Sequence, residues 1–503
     1  MNKEQGNTVI KAERWSYLWL ALAAILLVFT YGMYRNGLAA CFALIFVLRF
    51  MRAKKVGRGY LLILLVLMLA NIISWWNTTL ENPAIFRIIM GVIIGLLYSI
   101  PFLLDRVLVR KFQGFAATLV FPLVNTAFEF LTLWPSPTST YGSLAYSQFG
   151  NAYLNQVMSI TGLWGVTFLV SWLASTVNWI WEERVDWQRI WRGAAVFGGV
   201  MLVVLLYGML RLDIFLPEPG TVRIHAIIET DYTASEFDKN VAPLIATDPA
   251  AVKASTAPIY DRYLNATVRE ARAGAKIVLW PELAAVGYQE DLDALQERAQ
   301  NLAREEGIYL GMGVGLMLHD PAAKNVEENR FWLIDPQGQM VMNYRKYGCL
   351  PAMRMYGSQI PVVDTPYGRI AATICCDLDF PYVIRQVSQQ RADILLVPGF
   401  EPSVENLLAH SVMVPSRSIE NGVSIFRATT QGLSMAIDPY GRTLGIMDDT
   451  RASERVFVVQ LPNHRVITVY SLVGDLFGGL AVIGFVVILI LAILRGRKQA
   501  SAG

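Results

Sequence analysis

The stretch Thr373-Ile374-Cys375-Cys376-Asp377-Leu378-Asp379-Phe380-Pro381 brings two thiols to the end of a short apolar run, Ile370 to Ile374, and follows them at once with acids and a Phe-Pro turn. Such a run reads as a buried strand, so a thiol at its exit is held rigidly while still facing a cleft. A solitary cysteine there would be an ordinary core residue, because free cysteine is among the most buried residue types. Two further segments shift that balance. Ile277-Val278-Leu279-Trp280-Pro281-Glu282 is a second apolar run ending in a carboxylate, and Tyr344-Arg345-Lys346-Tyr347 sets a lysine after a strand-turn-strand pattern around Phe331 to Gly338. Glutamate, lysine and cysteine thus stand, in chain order, at the ends of three expected strands.

These residue types fit covalent acyl chemistry. A thiol attacks as its thiolate, so Cys375 needs a neighbour to take its proton or stabilise the anion. Glu282 can serve as that base and return the proton to a leaving group. Attack on an ester or amide carbonyl builds charge on oxygen, which the Lys346 ammonium and the backbone N–H after Cys375 can stabilise. Alone, Glu282 and Lys346 would read as surface charges; three in order, each after a strand, favour a site.

The elements around them alternate. Val222 to Ile228 reads as a strand, Ile259 to Ala273 as an amphipathic helix leading to the Glu282 strand, Leu292 to Glu306 as a second helix and Ile308 to Val314 as a Gly-rich strand. Ile394 to Val397 and Val423 to Ala428 follow, with helix between Val404 and Asn421, then a hairpin around Met435 to Arg442. This is one α/β domain. Arg417 and Arg427 are expected in structural ion pairs with core carboxylates, and His410, on a helix, in a structural role. Four histidines without metal-ligand spacing argue against a metal site, and no cofactor is expected.

The rest is membrane. Of 503 residues, 54 % are hydrophobic and 17 % charged, with a mean hydropathy of +0.40, too apolar for a wholly soluble chain. Eight spans are expected: 15–34, 37–51, 60–76, 85–104, 115–133, 157–181 and 194–210 in residues 1–215, then 476–494 within 467–503, leaving 216–466 as the α/β domain. Lys and Arg cluster after the second, fourth, sixth and last spans, which puts both termini in the cytoplasm and residues 216–464 outside. Glu129, inside the fifth span, must face a bundle interior, with Asn125 one turn away as a partner. The net charge of +3 is mostly topological, and nothing supports nucleic-acid binding.

The order Glu-Lys-Cys with its flanking residues resembles the nitrilase, or carbon-nitrogen hydrolase, superfamily, and implies its αββα sandwich with Glu282, Lys346 and Cys375 as the catalytic triad. The Tyr146-Ser147-Gln148 loop, the helix Gly162-Leu163-Trp164-Gly165-Val166-Thr167-Phe168-Leu169-Val170, the segment Thr468 to Asp475 and the closing span resemble more narrowly the apolipoprotein N-acyltransferase family, over nearly the whole chain. That resemblance implies a multi-pass protein of the bacterial inner (cytoplasmic) membrane with its catalytic domain on the outer, periplasmic face. It implies transfer of an acyl chain from a phospholipid donor, through a Cys375 thioester, to the N-terminal amine of an apolipoprotein acceptor. The family's tryptophan near the first strand falls on Phe237, its second glutamate on Arg354, and the aromatic and acid after its nucleophile on Cys376 and Asp377. With Tyr356, on an apolar segment suited to a lid, these are the candidate substrate and lid residues. Arg354 leaves an alternative: a membrane-anchored amidase or nitrilase whose lid guanidinium binds a carboxylate substrate. An outward-facing domain permits disulfides, and a Cys349–Cys376 bridge is compatible with a free nucleophile at Cys375.

Overall fold

A computed structural model describes residues 3–76, 83–214 except 135 and 137, 220–229, 241–319 except 246, 328–348, 359–401, 410–452 and 455–500, with side chains at 15–497 except 242 within those ranges. The chain separates into two compact units, Met1–Phe215 with Val473–Gly503, and Leu216–Leu472. The second boundary falls six residues later than expected because the strand-like tail stays with the α/β unit: Val466 N–H donates to Gly422 O at 2.7 Å and Thr468 Oγ1 to Glu420 O at 2.6 Å.

The first unit is a helical bundle. Its long helices are α1 (Lys3–Val28), α2 (Gly37–Ala53), α3 (Val56–Trp75), α4 (Ala84–Leu108), α5 (Val120–Leu133), α6 (Leu163–Glu182), α7 (Trp187–Met209) and, after the second unit, α12 (Leu476–Ala500). Among the described residues six helical stretches are long and apolar enough to cross a membrane: Val56–Trp75, Ala84–Lys111, Gly114–Leu133, Leu163–Glu182, Trp187–Ile214 and Leu476–Arg497. Two expected spans fall short of that. Trp15–Val28 is a shorter apolar helix, and α2, 17 residues long, carries two arginines. The expected sixth span breaks at Gly162, whose φ of +64° ends the short helix Met158–Thr161 before α6 begins. The bundle centres on α6, 78 % of whose apolar stretch is buried, against 11–39 % for the other five. Gly91 and Gly95 let α4 lie against the α3 backbone: a Cβ on Gly95 would stand 2.6 Å from Met68 Cα. Glu129 is buried as expected, but its carboxylate takes Ser143 Oγ, Leu144 N and Thr167 Oγ1. Asn125 donates instead to Ser171 Oγ at 3.0 Å, because the turn at Ser143 occupies the position expected of it.

The second unit is the expected four-layer sandwich. Its strands are β1 (Thr221–Ile227), β2 (Ile277–Leu279), β3 (Ala285–Gly287), β4 (Tyr309–Leu316), β5 (Glu328–Ile334), β6 (Met340–Arg345), β7 (Val362–Thr365), β8 (Gly368–Ala372), β9 (Ile394–Phe400), β10 (Ser424–Thr430), β11 (Leu433–Ile437), β12 (Thr443–Asp448) and β13 (Val456–Pro462). One sheet runs β13-β1-β2-β4-β5-β6, with β3 on β4; the other runs β12-β11-β10-β9-β8-β7. Alternation places the layers. Ile277 and Leu279 enter the core between the sheets with Ile370, Ala372 and Phe426, while Val278 and Trp280 face a separate core with α8 (Pro249–Arg272) and α9 (Gln289–Glu306). Leu395 and Val397 on the second sheet meet α10 (Pro381–Gln389) and α11 (Met413–Asn421). Helix α8 begins ten residues before the expected Ile259, since Asp248 caps it, accepting from Ala251 N at 3.0 Å, and Pro249 suits a first turn.

Candidate active site

Of the three residues at the strand ends in the α/β unit, Glu282 and Cys375 are buried and Lys346 is partly buried. Glu282 sits on the turn after β2, fixed from behind by Trp280, which is fully enclosed and donates Nε1–H to Thr267 Oγ1 at 2.9 Å. Gly313 on β4 lets that turn lie flat against the sheet: a Cβ there would stand 2.1 Å from Pro281 O and 2.7 Å from Glu282 Cα. Lys346 is the first residue past β6, its register set by Lys346 N–H donating to Asn329 O at 2.9 Å. The β5–β6 hairpin that delivers it turns on Asp335, whose Oδ1 accepts from Gln337 N and Gln339 N at 2.9 and 2.8 Å. Cys375 opens a short 3₁₀ turn, Cys375–Asp379, and is the third residue past the end of β8.

Lys346 Nζ and Asn329 Nδ2 both donate to Glu282 Oε1, the latter at 2.6 Å. The other oxygen, Oε2, is buried with no hydrogen-bond partner among the described residues. A buried carboxylate oxygen left open is costly unless a substrate or mobile proton uses it. The Lys346 ammonium is held above its ordinary pKa: burial works against the charge, but Glu282, then Cys375 and Asp377, outweigh it. Cys375 lies close to Lys346, and its Sγ–H donates to Phe400 O at 3.5 Å. Its backbone is strained, with φ at +49°, a region a β-carbon-bearing residue rarely adopts.

Other expectations change. Asp377, taken as a ligand contact, is fully buried and accepts from Tyr344 OH at 2.8 Å, Gly348 N at 3.0 Å and Ile374 N at 3.0 Å. It ties the Cys375 turn to the end of β6, and burial pushes its carboxyl up despite Lys346 nearby. Cys376, also taken as a ligand contact, is in a disulfide, while Cys41 and Cys375 are free thiols. The expected residues Phe237, Arg354 and Tyr356, and Cys349, lie outside the described residues.

A second charged cluster borders the nucleophile. His410 donates Nδ1–H to Glu401 Oε1 at 2.9 Å and Nε2–H to Asp379 Oδ1 at 2.8 Å, and it lies beside the Cys375 side chain. Arg427 pairs with the same Glu401 oxygen, and Arg417 pairs with Glu420 while donating Nε–H to Leu378 O at 2.7 Å. Burial disfavours the imidazolium, but Asp379 and Glu401 raise the His410 pKa well above its ordinary value. His410 therefore does more than the structural role expected of a helical histidine: it borders the thiol. Asn329 and Glu401 were not anticipated at all. The one available signal was that Glu401 follows the apolar strand β9 just as Glu282 follows β2.

Comparisons with known proteins match both halves of the chain. Residues 243–469 match the carbon-nitrogen hydrolase family and residues 23–176 the apolipoprotein N-acyltransferase N-terminal domain. The chain is similar to the apolipoprotein N-acyltransferase of Geobacter metallireducens, 26 % identical over 76 % of this chain and 75 % of that one. It is also similar to apolipoprotein N-acyltransferase 2 of Treponema pallidum, 23 % identical over 79 % of each. The deaminated glutathione amidase of Yersinia enterocolitica matches only 38 % of this chain, at 25 % identity. A hydrolase-type sandwich and the acyltransferases' own N-terminal domain on one polypeptide place this chain in the apolipoprotein N-acyltransferase family of the carbon-nitrogen hydrolases.

Proposed function

We propose that the protein transfers a fatty acyl chain from a membrane phospholipid to the N-terminal diacylglyceryl-cysteine amine of a lipoprotein, with Glu282, Lys346 and Cys375 as its catalytic triad. The observation that carries this is the open, buried Oε2 of Glu282 in a strand-end site shared with Lys346 and Cys375. In the first half-reaction Glu282 takes the thiol proton and the thiolate attacks the ester carbonyl carbon. The C–O bond breaks, Glu282 protonates the lysophospholipid oxygen, and a thioester remains on Cys375. In the second, the acceptor amine attacks the thioester carbonyl, Glu282 takes the amine proton, and the S–C bond breaks to restore the thiol. Lys346 stabilises the oxyanion in both steps. His410, clamped between two carboxylates, fixes the nucleophile turn as a positioning residue.

The reading places the enzyme in the inner membrane of a bacterium, the α/β unit on its outer face, with eight spans. The apolar helices and the N-terminal family match support acceptance of lipid. Mass spectrometry of lipoprotein N-termini in cells with and without the protein tests it: a third acyl chain should depend on the protein. Unchanged termini, with ammonia released from small amides by the purified chain, would favour the amidase instead.

A further inference from the structure

At the end of the bundle where α2, α4 and α6 finish and α7 begins, a cavity of about 730 Å³ opens, and five arginines line it against two glutamates. These are the helix ends that the basic loops assign to the cytoplasm. Topological signalling explains why arginines are present there; it does not explain how they are used. Arg52 is spent on Asp105, which it grips with Nε and Nη2 at 3.1 and 3.0 Å, and on Glu182 at 3.5 Å. Arg189 is spent on Glu183 at 3.6 Å and Asp186 at 3.2 Å. With both lining glutamates engaged, Arg106, Arg110 and Arg192 have no carboxylate partner among the described residues.

Arg106 makes the case. It is 2 % exposed, donates Nη2–H to Lys54 O at 2.7 Å, and its Nε–H is buried without a partner. Trp179, 6 % exposed, lines the same cavity with a buried, unpartnered Nε1–H. Two orphaned donors and a buried guanidinium with no carboxylate partner among the described residues are each costly, and these costs fall if an anion with several acceptor oxygens enters. The volume suits a small polar group with room for what bears it.

We propose that this cavity binds a phosphate anion, either the phosphodiester of an anionic phospholipid headgroup or a soluble phosphate, through Arg106, Arg110, Arg192 and the Trp179 indole N–H. The guanidiniums supply charge and forked donors, and the indole supplies a single neutral donor. The site lies within the bundle and is independent of the acyl-transfer chemistry.

The full-length protein, purified and delipidated, is offered phosphatidylglycerol or phosphatidylcholine nanodiscs, and retained lipid is read by native mass spectrometry; inorganic pyrophosphate is titrated separately, read by tryptophan fluorescence. The Arg110→Gln/Arg192→Gln variant, altering two exposed side chains, should retain about tenfold less phosphatidylglycerol. Trp179→Phe, which keeps the ring against Phe115, should retain roughly threefold less. Selective phosphatidylglycerol retention without pyrophosphate binding assigns a lipid; pyrophosphate binding lost in the same variants assigns a soluble phosphate. Equal retention of phosphatidylcholine, retention undiminished in both variants, or no binding of either probe overturns the proposal.

Discussion

Two glutamates in the α/β unit share a setting and differ in one oxygen. Glu282 and Glu401 each follow an apolar strand, each is buried, and each is paired with a cation, Lys346 partly buried and Arg427 fully so. Glu401 offers one oxygen to both His410 and Arg427, and His410's second nitrogen is taken by Asp379. Glu282 likewise offers one oxygen to two donors, Lys346 and Asn329, but keeps Oε2 buried and open. In the first arrangement the charges cancel, with Arg427 Nε as its one buried donor left open among the described residues, and such networks hold structure. The second has one unfilled acceptor beside a thiol, and that opening is what proton transfer needs.

Breaking each in turn should separate chemistry from stability. Glu282→Gln removes the base and keeps the shape; turnover should fall about a thousandfold when acyl transfer is assayed on purified protein, while melting temperature should drop less than for Glu401→Gln, because Lys346 is partly exposed and can be hydrated. Glu401→Gln should do the reverse, costing about 3–5 kcal/mol of stability in denaturant or thermal unfolding because Arg427 and His410 lose their shared counter-charge in a buried site. Gly313→Ala pushes a methyl into the Glu282 turn; since a displacement of about 1 Å can cost about a hundredfold, kcat should fall by that order with substrate KM little changed.

How much of this was visible beforehand follows from the range of the interactions. The triad positions and the two-sheet sandwich could be read because each rests on a local pattern, an apolar run and the residue at its end. Asn329 and Glu401 were missed because their contacts cross 47 and 9 or more residues of chain and depend on strand register. His410 was set aside because a helical histidine looks the same locally whether or not a thiol stands beside it. Asp377 and Cys376 were assigned to ligand contact through likeness to a family motif, but the fully buried turn takes Asp377 into a backbone cradle and Cys376 into a disulfide. In the bundle, Gly162 could have marked the break before α6, yet the surrounding apolar run hid it.

Smaller effects sharpen the contrast. Asn329→Ala leaves Lys346 as the partner of Glu282 Oε1 and should reduce turnover by about tenfold, one hydrogen bond to a charged group. The Glu401 network should also show in the pH dependence of stability. The His410 pKa is raised on folding, so its contribution is fully present below the unfolded value of about 6.5 and is lost as pH rises through the folded pKa. The stability advantage of the wild-type chain over His410→Gln should therefore shrink as pH rises from about 6.5; an advantage that grows instead would show that the clamp does not hold a cation.

The central claim is that Cys375 carries the acyl group. The full-length protein incubated with phosphatidylethanolamine bearing palmitate, without acceptor, and analysed by peptide mass spectrometry should show a palmitoyl adduct on Cys375 that hydroxylamine removes and that Cys375→Ala lacks. Acyl transfer proceeding normally in Cys375→Ala, or an adduct confined to another residue, would contradict it.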